Sequence, residues 1–239
     1  MAREFDDASS EDLSTTTLAI TGLPFTCQCW FKLHDHSGAG KTILSMGDMT
    51  AANDYWTIFV PTSGILRFRT RSGGSGGNAD TSNEVTDGTW HHAHVHFYAN
   101  GNTECVLDGT VGSKGTNTSQ SYPSSQTQFR IGSRTASGTK FYMDGEVAEV
   151  MMSGSYVGSA RASRGANALM HRGASFPVFY APLIRDEDTD RIKGISMTAN
   201  NSPTVSAHPR IIYPGPHMTP FSQSSTKSHW FYRAAAGVA

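Results

Sequence analysis

The stretch that decides the fold runs from Thr86 to Thr110 and reads TDGTWHHAHVHFYANGNTECVLDGT. Apolar residues alternate with histidines from His92 to Phe97, which is the two-residue period of a β-strand. Asn100-Gly101 follows, and these residue types tolerate the positive φ of a tight hairpin turn. The stretch therefore predicts a β-hairpin whose return strand carries Cys105.

Other segments on both sides of this hairpin also read as strands. Phe25–Leu33 alternates, with Cys27, Cys29, Phe31 and Leu33 on one side and Thr26, Gln28, Trp30 and Lys32 on the other. Residues 55–60 and 65–70 read as two further strands, and the segments FRIGSR and TKFYMDGEVAEVMMSG as another pair. Residues 71–83, RSGGSGGNADTSN, are rich in glycine and serine and predict a flexible surface loop.

The composition excludes several classes of partner. Nineteen basic residues against twenty acidic ones give a net charge of −1, which offers no electrostatic basis for binding nucleic acid or an anionic membrane. The N-terminal residues lack the apolar region of a secretory signal, and no apolar run is long enough for a transmembrane helix. The three cysteines are expected to be small buried residues in a protein made in a reducing cytoplasm.

Two motifs carry a resemblance to a known family. The hairpin resembles the W-H-H-V-x-V … L-Y-V-D-G hairpin of the laminin-G-like, concanavalin A-like lectin/glucanase family. IGSR followed by FYMDGEVAEVMM resembles the motif that closes such domains, although Ala148 stands where the family usually has Asp. The resemblance covers about residues 1–158 and implies an all-β, antiparallel jelly-roll β-sandwich.

The remaining residues complete the expected domain organisation. Residues 159–172 predict one short helix because good helix formers dominate there. Residues 176–183 resemble the strand that returns to the sandwich after such a helix, so residues 1–213 are expected to form the sandwich domain. Residues 214–239 predict an extended C-terminal arm that ends in a cluster of side chains suited to contact a partner: His229, Trp230, Phe231 and Tyr232.

The two ends of the chain also resemble a type of bacteriophage protein. Residues 1–6 and 207–214 look like the M-A-R-x-F-D start and A-H-P-x-I-I-Y-P ending of short laminin-G-like phage proteins. This resemblance implies a non-enzymatic virion protein, made in the host cytoplasm, that clamps capsid subunits. Its expected partners are the major capsid protein or another virion protein, together with copies of itself. The alternative is a lectin-like carbohydrate-binding module for host-surface adhesion, with or without calcium.

The sequence offers weak candidates for catalysis. Glycosidases of this fold need two carboxylates close together. Glu146 and Glu149 are the nearest approach to such a pair, but they are three residues apart and are expected on opposite faces of a strand. We therefore predict no catalytic residues.

Two sets of residues are candidates for metal binding, but neither supplies all the ligands of a site. His92, His94 and His96 share one strand face at a spacing of about 6.6 Å, so two of them could bind one Zn²⁺ with a further ligand. A solvated or interface-facing polar row is the expected alternative. Laminin-G-like domains often bind Ca²⁺, and four aspartates beside turns could serve here: Asp48, Asp54, Asp108 and Asp144. No cofactor is predicted, although calcium remains an option.

Glycan binding would need exposed aromatic rings. Tyr55, Trp56 and Tyr98 lie near the ends of predicted strands and are the candidates for stacking on sugars. Trp30 and Trp90 stand in motifs that pack the core in the resembled family, so the resemblance implies a structural role for both.

Overall fold

The computed structural model describes residues 2–48, 54–73, 75–112, 122–123, 125–136, 139–155, 177–184 and 187–209. Within these ranges the protein is all-β, as predicted. The strands are β1 (Ala2–Phe5), β2 (Asp12–Thr15), β3 (Phe25–Leu33), β4 (Lys41–Gly47), β5 (Tyr55–Val60), β6 (Ile65–Ser72), β7 (Ser75–Glu84), β8 (His91–Phe97), β9 (Thr103–Leu107), β10 (Thr110–Val111), β11 (Gln128–Ile131), β12 (Ser133–Ala136), β13 (Thr139–Tyr142), β14 (Gly145–Ser153), β15 (Phe179–Ala181), β16 (Thr198–Asn200) and β17 (Thr204–Ser206). The part of the chain that is described contains no helix that could cross a membrane.

Two antiparallel sheets form the sandwich. Sheet 1 has the order β10-β9-β8-β3-β14-β1-β17, with β15 also paired to β14. Sheet 2 has the order β16-β2-β11-β4-β5-β6-β7, and β12 pairs with β13 as a separate hairpin. Neighbouring strands within each sheet are distant in sequence at several points, which is expected of a jelly roll and confirms the predicted fold class.

The core lies between the inner faces of the two sheets. Phe25 of sheet 1 packs on Trp56 and Phe68 of sheet 2, with ring centroids 5.2 and 6.3 Å apart. Phe129 of sheet 2 in turn meets Phe179 of sheet 1 at 5.4 Å. All five rings are buried. The alternation predicted for β3 is confirmed, since its cysteines face this core.

The predicted hairpin is present in the expected register. Val95 pairs with Cys105 across β8 and β9, and the Tyr98 amide donates to the Asn102 carbonyl at 2.8 Å to close the turn. Gly101 has a φ of +83°, the positive value that the sequence predicted for this turn.

The predicted loop at residues 71–83 is wrong. Most of it forms β7, an edge strand that pairs with β6 along its length. Composition misleads here because the backbone of β6 supplies hydrogen bonds that compensate for poor strand formers. The glycines also relieve crowding, since a Cβ on Gly76 would lie 2.7 Å from the Arg71 Cγ and the Thr70 carbonyl oxygen.

The segment predicted as two paired strands contains four. After β11 the chain turns at Gly132, which has a φ of +88°, and the β12–β13 hairpin then contacts β4. Gly145 opens β14, and a Cβ there would lie 2.0 Å from the Lys32 carbonyl oxygen on β3. Strand β15 lies within residues 176–183, where a returning strand is expected, and pairs with β14. The predicted helix at 159–172 and the arm at 214–239 lie outside the described residues.

Candidate functional site

The outer face of sheet 2 carries a row of arginines. Alternation along β6 turns Leu66 and Phe68 into the core, so the side chains of Arg67, Arg69 and Arg71 point outward. Each arginine lies beside an outward residue of β5, in the pairs Phe59–Arg67, Thr57–Arg69 and Tyr55–Arg71. The three arginines are partly exposed, whereas the β5 residues beneath them are buried.

The β12–β13 hairpin adds a fourth arginine to this face. The Arg134 guanidinium lies between two rings, 4.5 Å from the centroid of Phe59 and 4.4 Å from that of Phe141. The guanidinium carbons of Arg67 and Arg69 also lie 6.0 and 5.8 Å from the Phe59 ring. We call the set Phe59, Arg67, Arg69, Arg134 and Phe141 the arginine face.

Only one of the three cations on the arginine face is paired with a carboxylate among the described residues. Arg67 donates from Nε and Nη2 to the two carboxylate oxygens of Asp80 at 2.6 and 2.7 Å, which raises the pKa of Arg67. Arg69 donates to the neutral Asn78 side chain at 2.9 Å. Arg134 is 7% exposed, and neither its Nε nor its Nη1 has a hydrogen-bond partner.

The electrostatic setting of Arg134 is correspondingly unfavourable. Burial lowers the pKa of Arg134, and the nearby charge of Arg69 lowers it further, while Tyr55 acts in the opposite direction. Guanidinium groups nevertheless stay protonated in proteins. The arginine face therefore concentrates positive charge in a protein whose total charge is −1.

The structure corrects two of the three predicted glycan-stacking residues. Trp56 is fully buried in the core and Tyr55 is 4% exposed, so neither offers a ring face to solvent. Adjacent strand residues point to opposite faces, which sends the Trp56 ring into the core between the sheets. Tyr98 is partly exposed, donates from its hydroxyl to Glu104 at 2.7 Å and contacts the His96 ring, so its role stays a prediction.

The core position that the resemblance implied for Trp30 and Trp90 is wrong, whereas their structural role stays a prediction. Both are partly exposed and neither belongs to the core between the sheets. Trp30 lies on the outer face of sheet 1, with its ring 5.4 Å from that of His92, and Trp90 lies beneath the Lys32 ammonium at 5.6 Å. Family position alone placed these rings inside the sandwich. The strand face of Trp30 places it outside, and Trp90 precedes β8.

The histidine row of β8 is not solvated. His92, His94 and His96 are 2%, 1% and 0% exposed, although they point away from the core between the sheets. The Nδ1 of His96 lies 2.8 Å from the Thr26 hydroxyl, and burial lowers the pKa of His96 to about 4. The interface-facing alternative and the Zn²⁺ alternative stay predictions.

A different group of metal-ligating side chains comes together at one end of the neighbouring strands β3, β14 and β1 of sheet 1. The Nε2 atom of His34 lies 3.7 Å from Glu4 Oε1 and 3.9 Å from Glu146 Oε1, and its Nδ1 lies 3.1 Å from Asp144 Oδ1. A cavity of about 460 Å³ opens beside these groups. The sequence pointed to Asp144 as a calcium candidate and to Glu146 only as a carboxylate unsuited to catalysis. It did not bring them together with Glu4 and His34, because these residues come from separate strands and loops with no shared spacing.

Two of the other calcium candidates, Asp108 and Asp54, use their carboxylates to hold local structure. Asp108 ends the main hairpin by accepting from the His92 amide and from His91 Nδ1, each at 2.7 Å. Burial opposes ionisation of Asp108, but these hydrogen bonds lower its pKa overall. Asp54 accepts from the Gly73 amide at 2.9 Å, and the Asp48 amide donates to the Asp54 carbonyl at 2.9 Å. Calcium binding stays a prediction.

The two carboxylates nearest to a catalytic pair are engaged separately. Glu146 forms an ion pair with Lys32 and accepts from the Ser206 hydroxyl, whereas Glu149 accepts from Tyr180 and lies 2.9 Å from His208 Nε2. The sequence predicted Glu146 and Glu149 on opposite faces because it assumed regular alternation along β14. The structure does not keep that alternation. Glu149 has a φ of +55° at a register shift, so the neighbouring valines at 147 and 150 both face the core.

The residues predicted to contact a partner lie in the C-terminal arm. His229, Trp230, Phe231 and Tyr232 lie outside the described residues. The docking arm, the capsid or other virion partner, the homo-oligomer and the virion location therefore stay predictions.

Comparisons with known proteins agree with the fold. A family model described as the concanavalin A-like lectin/glucanases superfamily matches residues 6–160. No curated protein matches the chain in sequence. A native heptameric SAP-like pentraxin from Limulus polyphemus shares 14% identity at a TM-score of 0.59, over 81% of this chain and 87% of that one.

A carbohydrate-binding module and a putative carbohydrate binding protein have similar folds. The CBM40 of the Ruminococcus gnavus IT-sialidase, solved with α2,3-sialyllactose, shares 12% identity at a TM-score of 0.60 and covers 69% of this chain and 96% of that chain. A putative carbohydrate binding protein from Bacteroides ovatus shares 13% identity at a TM-score of 0.61, over 85% of this chain and 58% of that one. At these identities the likeness shows the fold alone. Since the family model spans most of the chain and the sandwich agrees with it, the protein belongs to the concanavalin A-like lectin/glucanase superfamily.

Proposed function

We propose that this protein is a lectin-like carbohydrate-binding module and that the arginine face binds the sugar. The observation that carries the proposal is the combination of a partly exposed aromatic ring, Phe141, with partly exposed guanidinium groups on one sheet face. This combination suits a sugar, because a sugar has an apolar ring face that can pack on an aromatic ring and a rim of hydroxyl groups that can accept hydrogen bonds from guanidinium groups. The similar folds of two carbohydrate-binding proteins support the same reading.

The geometry of the arginine face is suited to binding a sugar rather than to catalysing a reaction of it. Phe141 would pack on the apolar face of a sugar ring, while Arg67 and Arg69 donate hydrogen bonds from side chains held by Asp80 and Asn78. Donors held in place by neighbours lose less conformational entropy when a ligand arrives. The separate engagement of Glu146 and Glu149 gives no reason to add a hydrolytic step.

The proposal is tested by screening the purified full-length chain against a glycan array and measuring affinity for the strongest ligand. Phe141→Ala should weaken binding at least tenfold because it removes the stacking ring. Tyr142→Ala is the matched control, since it removes a similarly exposed ring from the next residue of the same strand. Failure to bind any glycan, or equal losses in both variants, would overturn the proposal.

The virion reading is not exclusive of this one. A decoration protein that presents the arginine face outward would bring a virus particle to glycans on a host surface. The glycan screen distinguishes the two hypotheses, because a virion protein that acts only in assembly should bind no sugar.

A further inference from the structure

Arg69 and Arg134 form a pair of neighbouring cations that no described carboxylate neutralises. Asp80, the acidic residue of this face, already accepts both donated bonds from Arg67. Arg69 has only the neutral amide oxygen of Asn78. From this we infer that the arginine face selects acidic sugars, those carrying a carboxylate or a sulfate, over neutral ones. This inference rests on the proposed function and names the ligand class of the same site.

The first step is the energetic position of Arg134. A buried guanidinium that lacks a counter-charge is costly, because low-dielectric surroundings disfavour the ion. The rings of Phe59 and Phe141 offset part of that cost through cation–π contacts. They cannot neutralise the charge, so the face remains positive until an anion arrives.

The second step is the like charge beside it. Three guanidinium carbons lie within 6.0 Å of the Phe59 ring. Asp80 compensates one of them, and the repulsion among the others is relieved by an acidic ligand but not by a hydroxyl group. Opposite charge on the ligand is therefore the property that this face distinguishes most strongly.

The third step is donor geometry. A guanidinium presents its N–H groups in a planar fork that matches two oxygens of one carboxylate or sulfate. Such charge-assisted bonds are roughly twice as strong as neutral ones. Arg69 uses Nε on Asn78, and no other hydrogen bond of its guanidinium to the described residues is recorded. A sugar acid can therefore make contacts here that a neutral sugar of the same shape cannot.

The experiment compares ligands that differ in one group. Titration calorimetry of the full-length chain is carried out with lactose, 3′-sialyllactose and 3′-sulfolactose. Both acidic ligands, or one of them, should bind at least tenfold more tightly than lactose, and the two arms show whether carboxylate or sulfate is preferred. The advantage should shrink as salt is raised from about 0.05 to about 0.5 M, because screening weakens exposed charge interactions.

Variants assign the selectivity to the site. Arg69→Gln should abolish most of the acidic preference, and Arg69→Lys should keep the charge but lose the fork, giving an intermediate result. Arg191→Gln is the control, because it removes the same charge from an exposed arginine paired with Glu187 outside this face. Arg134→Gln is added with a check of its melting curve, since that side chain is buried.

Several outcomes would overturn the inference. Equal affinity for lactose and both acidic ligands would refute acidic selectivity while leaving the proposed sugar-binding function intact. Binding of no sugar in any arm would refute both. Binding of an oligo-glutamate peptide as tightly as of the acidic sugars would also refute it, because the face would then recognise acidic protein rather than glycan.

Discussion

The histidine row of β8 and the arginine row of β6 look alike in sequence but differ in the folded protein. Each consists of polar residues at alternate positions whose apolar neighbours face the core. The histidines at 92, 94 and 96 are at most 2% exposed, whereas the arginines at 67, 69 and 71 are partly exposed. Alternation therefore tells which face of a sheet a side chain occupies and not whether that face is open to solvent.

Histidine and arginine also respond differently to burial, because only histidine can lose its charge at physiological pH. Burial disfavours the charged form of a histidine, which can respond by staying neutral at physiological pH. An arginine cannot lose its proton, so a charged face must find partners or remain positive. The histidine row can thus remain buried in its neutral form, whereas the arginine face keeps its positive charge at the surface.

The largest expected effect on stability comes from a residue of the core between the sheets, and the effects at the two outer rows are compared with it. Trp56→Ala should lower the free energy of unfolding by about 3–5 kcal/mol, because it leaves a cavity among packed aromatic rings. Urea denaturation measures the loss. A loss of less than about 1 kcal/mol in the free energy of unfolding would contradict the buried position of Trp56 and would indicate that its ring lies at the surface.

The next effect compares the two outer rows directly. His94→Ala should cost about 1–3 kcal/mol, since it removes a buried polar side chain. Arg69→Gln should change stability by no more than about 0.5 kcal/mol, as is usual for partly exposed side chains. Equal costs in the same urea experiment would remove the distinction between the rows.

A pH titration sharpens the comparison further. His96 has a folded-state pKa of about 4, below the unfolded value of 6.5, so the unfolded chain binds the additional proton first. Its contribution to the free energy of unfolding is complete above pH 6.5 and is lost as the pH falls from about 6.5 towards about 4. Over this range the free energy of unfolding changes with pH at a slope that corresponds to the binding of up to one proton. In His96→Gln the slope over this range should be smaller by about that amount. An unchanged slope would show that His96 does not titrate this way.

The smallest effect concerns the cysteines of the inner face. All three thiols are free and buried, and burial raises the pKa of each. A reductant should leave the melting temperature unchanged, and a thiol reagent should label the cysteines only after unfolding. A marked fall in melting temperature on reduction would instead reveal a disulfide.

Most of the strand positions near the hairpin were predictable because their signals are local. The period of two in Phe25–Leu33 and the turn at Asn100-Gly101 depend only on adjacent residues. Residues 71–83 were mistaken for a loop because β7 depends on pairing with β6. The bulge at Glu149 was missed for a related reason, since an extra residue in β14 shifts the register against β3 without any sign in composition.

The arginine face was only partly predictable. The sequence shows that Arg67 and Arg69 share a strand face, but the pattern alone does not connect them with Arg134. That connection requires the β12–β13 hairpin to fold over β4, which brings the Arg134 guanidinium between Phe59 and Phe141. Tyr55 and Trp56 are wrong as stacking candidates for a different reason, because the position of a ring near a turn does not tell whether it is open to solvent.

By itself, the sequence determined the all-β class, the main hairpin, the membership of β3, β5 and β6 in strands, and which residues of β3 share a face. Backbone geometry turns successive side chains to opposite sides, so this information is present in each short segment. Only the tertiary structure decided which outer face is covered, where β7 pairs, and which separate side chains meet in the arginine face and at His34. Those features depend on contacts between residues distant in the chain, and such contacts are settled by packing of the whole sandwich.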